Sequence, residues 1–251
     1  MTKRPLIEIC VEGIDGLIAA QRGGADRVEL CASLLEGGLT PSLGTVRAAR
    51  RLATVPFHVM VRPRGGDFLY SAAEFSSMLD DVDILRGEGV AGVVFGCLTV
   101  EGAVDADRTT ALVQRAGPLA TTFHRAFDMA RDPAVALETL IACGVGRVLT
   151  SGQQVDATAG APVLRRLHAR AAGRIVILGC GGLRPETIAA VQNAAGLDEL
   201  HFSAPTDAPS GMRWRNTALG MGGTALEREF TLTLTDPALV TRTINAVRGA
   251  G

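Results

Sequence analysis

The sequence contains almost no lysine. Lys3 is the one lysine, so 24 of the 25 basic residues are arginine. Schiff-base catalysis needs a lysine amine that reaches the carbonyl carbon of its substrate. Because Lys3 precedes the first predicted strand, we expect Schiff-base aldolase chemistry to be excluded.

A basic excess and long apolar runs are also missing. The 25 basic and 26 acidic residues give a net charge of -1, whereas nucleic-acid and acidic-membrane binders normally carry a basic excess or patch. No stretch of 18 apolar residues is present, so no transmembrane helix is expected. The composition therefore predicts neither a nucleic-acid nor a membrane partner.

The chain starts without the features of a secretory signal. Its short charged start leads into only six strand-like residues, with no apolar core segment and no small-residue cleavage site. The cysteines are odd in number, five, and widely spaced, which is not typical of a disulfide framework. We expect a cytoplasmic protein with free thiols.

What the sequence does contain is a regular alternation of short, apolar, β-rich runs with longer segments of helical periodicity. The predicted strands are residues 6–11, 27–31, 57–61, 92–96, 119–124, 147–150, 174–178 and 199–203. The 251 residues give about 31 for each of eight units, the size of a strand plus a crossover helix in a closed barrel. We therefore predict an α/β fold, a single (β/α)8 TIM-barrel domain over residues 1–251.

Helix-start signals agree with the division into eight strand–helix units. Thr40 and Asp132 each precede a proline, as at helix starts, and Ser71 with Glu74 has the form of a capping box. A doubly wound open sheet is the alternative fold, but it calls for a glycine fingerprint after the first strand, and residues 11–15 contain none.

The pattern changes after the eighth strand. Residues 203–223 form a predicted long loop, residues 230–234 alternate like a short strand, and Asp236 opens a last helix. A loop of this length is usually functional or a partner contact. The single tryptophan, Trp214, lies in it between two arginines, which is typical of an interface anchor. An interaction role is one hypothesis for the chain.

Strand parity places polar side chains inside the predicted barrel. Glu8 and Cys10 share one face of the first strand, and Glu29 and Cys31 share one face of the second, opposite the apolar side chains. Since the apolar face must cover the helices, the polar face should point to the barrel axis. A buried carboxylate needs a partner, which we expect to come from strands three and five. A purely structural ion network along the axis is the alternative.

Candidate partners lie at strand ends, where barrel proteins place their sites. They are Arg62 and Arg64 after the third strand, and His124, Arg125 and Asp128 after the fifth. Two guanidinium forks suit a carboxylate or phosphate. The alternative is an arginine pair that only neutralises nearby carboxylates.

Glycines follow the seventh strand, and a serine ends the eighth. Gly181, Gly182 and Ser203 occupy the positions where this fold usually binds phosphate through backbone amides. A plain glycine turn between strand and helix is the alternative.

Cys10 and Cys31 end neighbouring strands, which lie about 4.8 Å apart in a sheet. Two inward thiols at matching heights could share one soft ion such as Cu(I), and the stagger of the barrel decides whether they do. The alternative is that both cysteines are small buried hydrophobes.

Six runs along the chain resemble the CutC copper homeostasis family. They are residues 24–31, 36–42, 62–68, 122–128, 148–152 and 212–216, and the similarity extends over essentially the whole chain. The resemblance implies a (β/α)8 barrel that is cytoplasmic and homo-oligomeric, with a role in copper handling. It also implies that Cys10 and Cys31 match the two cysteines assigned to Cu(I) in some members.

Two functional hypotheses follow besides the interaction role. The first is a copper homeostasis protein that binds Cu(I) through Cys10 and Cys31, with Glu8 or Glu29 as neighbouring groups. The second is a TIM-barrel enzyme or sensor of a small anionic metabolite, for example a sugar phosphate, in which Glu8, Glu29 or His124 would transfer protons.

Overall fold

Eight parallel strands of the computed structural model close into a barrel in chain order. The strands are β1 (Leu6–Glu12), β2 (Arg27–Cys31), β3 (Phe57–Met60), β4 (Gly92–Phe95), β5 (Ala120–Phe123), β6 (Arg147–Thr150), β7 (Val176–Cys180) and β8 (Glu199–Phe202). The structure describes residues 4–222 and 225–249, so Lys3 lies outside it. The (β/α)8 barrel is thereby confirmed.

Helices connect the strands and cover the outer face of the barrel. They are α1 (Gly13–Arg22), α2 (Leu43–Leu52), α3 (Ala72–Glu88), α4 (Ala106–Ala116), α5 (Pro133–Ala142), α6 (Ala157–Ala171), α7 (Ile188–Ala195) and α8 (Pro237–Arg248). The apolar side chains of β1, Ile7, Ile9 and Val11, are all fully buried against this layer. Within the described residues, no helix is both long enough and apolar enough to cross a membrane.

Three of the four predicted helix starts are correct. Ser71 and Glu74 form a complete capping box at α3, and the Asp132 side chain caps α5. The start at Thr40 was wrong, because α2 is capped by Ser42. The Thr40 hydroxyl instead accepts a hydrogen bond from the Arg62 amide at 2.9 Å, so this residue is bound to the segment that follows β3 rather than opening a helix.

The segment after β8 contains more structure than expected. Its first part forms β9 (Pro205–Pro209), which pairs antiparallel with β10 (Thr231–Thr235). The predicted long loop over 203–223 was therefore wrong in part, because β9 has two prolines and no apolar alternation. The strand-like character of 230–234 and the helix after Asp236 are confirmed.

Candidate functional site

A network of ion pairs lies inside the barrel, near the ends where the strands begin. Arg27 donates from Nε to Glu8 and from Nη2 to Glu199, the latter at 2.6 Å. Arg147 binds the same Glu199 at 2.7 Å. The expectation that strands three and five would supply the partner of Glu8 was wrong in its main point. A positive charge beside Glu8 comes from Arg27 of β2. Arg27 is two residues from Glu29 and points to the same side of the strand, so strand parity could have identified it from the sequence.

His201 joins this network to the second carboxylate. Its Nδ1 lies 2.8 Å from Glu8 Oε1, and its Nε2 lies 3.9 Å from Glu29 Oε2. Burial alone would lower the pKa of His201, but Glu29, Cys10 and Glu8 together raise it well above its usual value. These contacts favour the imidazolium form of the ring, which lies between Glu8 and Glu29.

The two carboxylates differ in their ionisation. Burial would raise the pKa of Glu8, but the hydrogen bond to His201 and the charge of Arg27 lower it far below its usual range. For Glu29, burial prevails over the attraction of His201, and the pKa is raised. Glu29 Oε1 also has no hydrogen-bond partner among the described residues. Glu8 is thus a structural anion, whereas Glu29 is the carboxyl group held closest to its neutral form.

The two predicted cysteines do meet. The register pairs Cys10 with Glu29 and sets Cys31 opposite Glu12, so the thiols are staggered by two residues along the strands. The contact is diagonal, with the two Sγ atoms 4.0 Å apart. Cys31 Sγ also lies 3.7 Å from Glu29 Oε2. The two thiols are therefore not at matching heights, but inward-pointing side chains on adjacent strands still bring the sulfurs together.

Both thiols are held in the protonated form. The hydrogen bond with Cys31 and burial raise the pKa of Cys10 well above its usual value. The same pair contact lowers the pKa of Cys31, but burial and the Glu29 carboxylate outweigh it and raise that pKa to about 11. A ligand that needs thiolates must therefore displace protons.

A cavity of about 1250 Å³ opens over this cluster. The predicted site residues that line it are Cys10, Glu29, Arg62, His124, Arg125, Asp128, Gly181, Gly182 and Ser203. Glu8 and Cys31 lie behind this surface, and Arg64 lies outside it. Met60, Phe68 and His201 also line the cavity; they were not among the predicted site residues.

The two arginines that follow β3, Arg62 and Arg64, point in different directions. Arg62 is buried and donates to the carbonyl oxygens of Glu36, Gly38 and Gly66 at 2.5, 3.2 and 2.9 Å. Arg64 turns outward to Glu74 at 2.7 Å. The expected anion-binding pair is therefore not formed, because Arg64 is neutralised at the surface.

The residues after β5 also divide by role. Arg125 pairs with Asp128 at 2.8 Å, and Asp128 accepts the amides of Ser151 and Gln153 at 3.1 Å. Asp128 is therefore committed to fixing the neighbouring loop. The His124 Nε2 has no hydrogen-bond partner among the described residues.

The glycine turn after β7 has the backbone that a glycine requires. Gly181 and Gly182 have φ values of 98° and 67°, a region that side chains disfavour. The Gly181 carbonyl accepts the Ala157 amide at 2.9 Å. This turn borders the cavity beside Ser203, and a phosphate site there stays a proposal.

Comparison with known proteins gives a consistent result. The sequence profile of the CutC family matches residues 5–206. A CutC family protein of Mesorhizobium japonicum is 64% identical over 247 residues, covering 98% of this chain and 96% of the relative. The human copper homeostasis protein cutC homolog is 43% identical, covering 96% of this chain and 88% of the relative.

The fold of a solved relative agrees. The crystal structure of a CutC protein of Streptococcus agalactiae superimposes with a TM-score of 0.75 at 29% identity, covering 79% of this chain and 98% of the solved one.

Proposed function

This chain belongs to the CutC family, and from that premise we propose that it serves copper homeostasis by binding one Cu(I) ion between Cys10 and Cys31. The observation that carries the proposal is the 4.0 Å separation of the two sulfur atoms. Metal–thiolate bonds of about 2.3 Å, the value for zinc, allow two sulfurs on one ion to lie at most about 4.6 Å apart. One ion therefore fits between these thiols without movement of the backbone.

The surroundings of the thiols favour a soft ion. Cys31 packs with Met60 and Val94 in one buried apolar cluster, against which Cys10 and Leu34 also pack. Soft thiolate ligands select Cu(I). A structural zinc site would need four ligands, more than the three that Cys10, Glu29 and Cys31 can offer. Cys10 lines the cavity and so offers the entry point, with Cys31 behind it.

Competition with a colorimetric Cu(I) chelator in anaerobic buffer tests this proposal. We expect one Cu(I) per chain, and a loss of affinity of more than about 100-fold in the Cys10→Ser, Cys31→Ser double variant, because changes outside the ligand set alone cost about 10- to 100-fold. Cys180→Ser is the matched control, since Cys180 is a buried cysteine that lines the same cavity. Equal affinity in the double variant and the wild type would refute the proposal.

We also propose that the protein is located in the cytoplasm, which is a reducing compartment. All five cysteines are free thiols, and protein thiols stay reduced in the cytosol.

We further propose that the protein associates with itself through exposed apolar side chains near its C-terminus. Trp214 and Met221 are 79% and 81% exposed, and Leu232 and Leu234 of β10 are also exposed. Exposed apolar side chains on a two-stranded sheet with free edges favour contact with a second copy. Light scattering at micromolar concentration should give an oligomer, and Trp214→Ser should lower its mass. A monomeric wild type would show that this surface does not mediate self-association.

A further inference from the structure

His124 carries a hydrogen-bond donor that the protein leaves unused. Its Nδ1 accepts the Ala126 amide at 3.1 Å, so the neutral ring must hold its proton on Nε2. That Nε2 has no partner among the described residues, although the side chain is only 3% exposed and lines the cavity. Burial and the charge of Arg62 lower the pKa of His124 to about 3. The ring is therefore neutral at physiological pH and offers an N–H.

Arg62 provides a buried positive charge without a negative partner. It is 5% exposed, and the hydrogen bonds of its side chain end on three backbone carbonyls. Within residues 4–222 and 225–249, no carboxylate forms an ion pair with it, and its Nε has no partner. A buried charge without a counter-charge is costly, so an anion in the cavity would compensate it.

The Phe68 ring contacts both of these groups. Its ring centroid lies 4.9 Å from that of His124, and the Arg62 Cζ lies 5.1 Å from the same ring. Phe68 lines the cavity and is only half-buried, so its ring is the group that a ligand would have to move aside to reach the two donors. In this apolar setting a hydrogen bond to a charged oxygen is stronger than in water.

We propose that Arg62 and His124 bind the carboxylate group of a small organic acid in this cavity. One cation and one neutral N–H match the single charge and the two oxygens of a carboxylate, whereas a phosphate carries nearly two charges near pH 7 and would require more donors. The body of the acid then extends toward Glu29 and Cys10, which line the same cavity. The proposal does not rest on copper, because neither Arg62 nor His124 forms a hydrogen bond with a thiol in the described part of the chain.

Matched variants at each donor separate the binding roles from structural ones. His124→Asn keeps an acceptor for the Ala126 amide but loses the Nε2 donor, whereas His124→Gln keeps a donor near Nε2. Arg62→Gln removes the buried charge, and Arg64→Gln removes an arginine from the same segment that is already neutralised by Glu74.

Calorimetric titration and thermal shift with acetate, lactate, pyruvate and succinate test the proposal, with inorganic phosphate as a separate arm and sodium chloride matching the ionic strength. We expect at least one acid to bind and to raise Tm. Affinity should fall roughly 10- to 100-fold in Arg62→Gln and about tenfold in His124→Asn. It should change less than about threefold in His124→Gln and Arg64→Gln.

Several outcomes would overturn the assignment. They are no binding by any of the four acids, binding of phosphate alone, or equal losses in Arg62→Gln and Arg64→Gln. If Arg62→Gln fails to fold, because Arg62 also ties three loop carbonyls, the two His124 variants decide the matter. Equal affinity of His124→Asn and His124→Gln would then refute it. Because the cysteine variant is tested separately, failure here is distinguishable from failure of Cu(I) binding.

Discussion

Arg27→Met is expected to lower the free energy of unfolding by about 3–5 kcal/mol, the usual cost of removing one member of a buried ion pair. Arg27 is 5% exposed and binds both Glu8 and Glu199. Methionine fills much of the same volume, so the loss comes from Glu8 and Glu199, each of which loses one of its two cationic partners, rather than from a cavity. In urea denaturation this appears as a lower midpoint, and in calorimetry as a fall in Tm of about 6 to 20 °C.

Two further variants check the cause. Combining Arg27→Met with Glu8→Gln should restore part of the loss, because the glutamine carries no charge that needs compensation. Arg170→Met removes an exposed arginine paired with Glu138, and its effect should be far smaller because water screens that pair. A loss below about 1 kcal/mol for Arg27→Met would mean that the network of ion pairs does not stabilise the barrel.

Gly160→Ala is expected to destabilise the protein by about 3 kcal/mol or more. A Cβ at position 160 would lie 1.8 Å from the Ser151 carbonyl oxygen, and no side-chain rotation relieves a contact with backbone. Alanine would gain about 1 kcal/mol of helix propensity within α6, which is smaller than the steric cost. Thermal unfolding should show a Tm lowered by about 6 °C or more.

Gly87→Ala is the matched control for this steric argument. Gly87 lies in α3, and a Cβ there meets nothing within 4 Å. This substitution should raise stability by roughly 0.5–1 kcal/mol, because alanine loses less entropy in a helix. If both glycine variants changed stability in the same direction, the close contact at Gly160 would not be the cause.

The barrel could be predicted because its signals are local. Apolar and polar side chains alternate with period two in β1, β2 and β8, and glycines or caps interrupt the chain between units. The pairing of β9 with β10 could not, because residues 205 and 235 pair across a long intervening segment. The prolines of β9 also argue against a strand in a sequence, yet they lie at its two ends in a two-stranded sheet.

The site could be predicted only where strand order determines it. Cys10 and Cys31 meet because they point inward from adjacent strands. The environment of Arg62 could not be foreseen, because its partners are loop carbonyls, among them that of Gly38, whose φ is 91°. The separation of Arg62 from Arg64 depends on the same loop geometry, which residue types alone do not determine.

X-ray absorption at the copper edge of the Cu(I)-loaded protein tests the central claim most directly. We expect a first shell of two sulfur atoms, supplied by Cys10 and Cys31, and its disappearance in the Cys10→Ser, Cys31→Ser variant. A first shell of nitrogen and oxygen atoms, unchanged in that variant, would contradict the assignment of copper to this thiol pair.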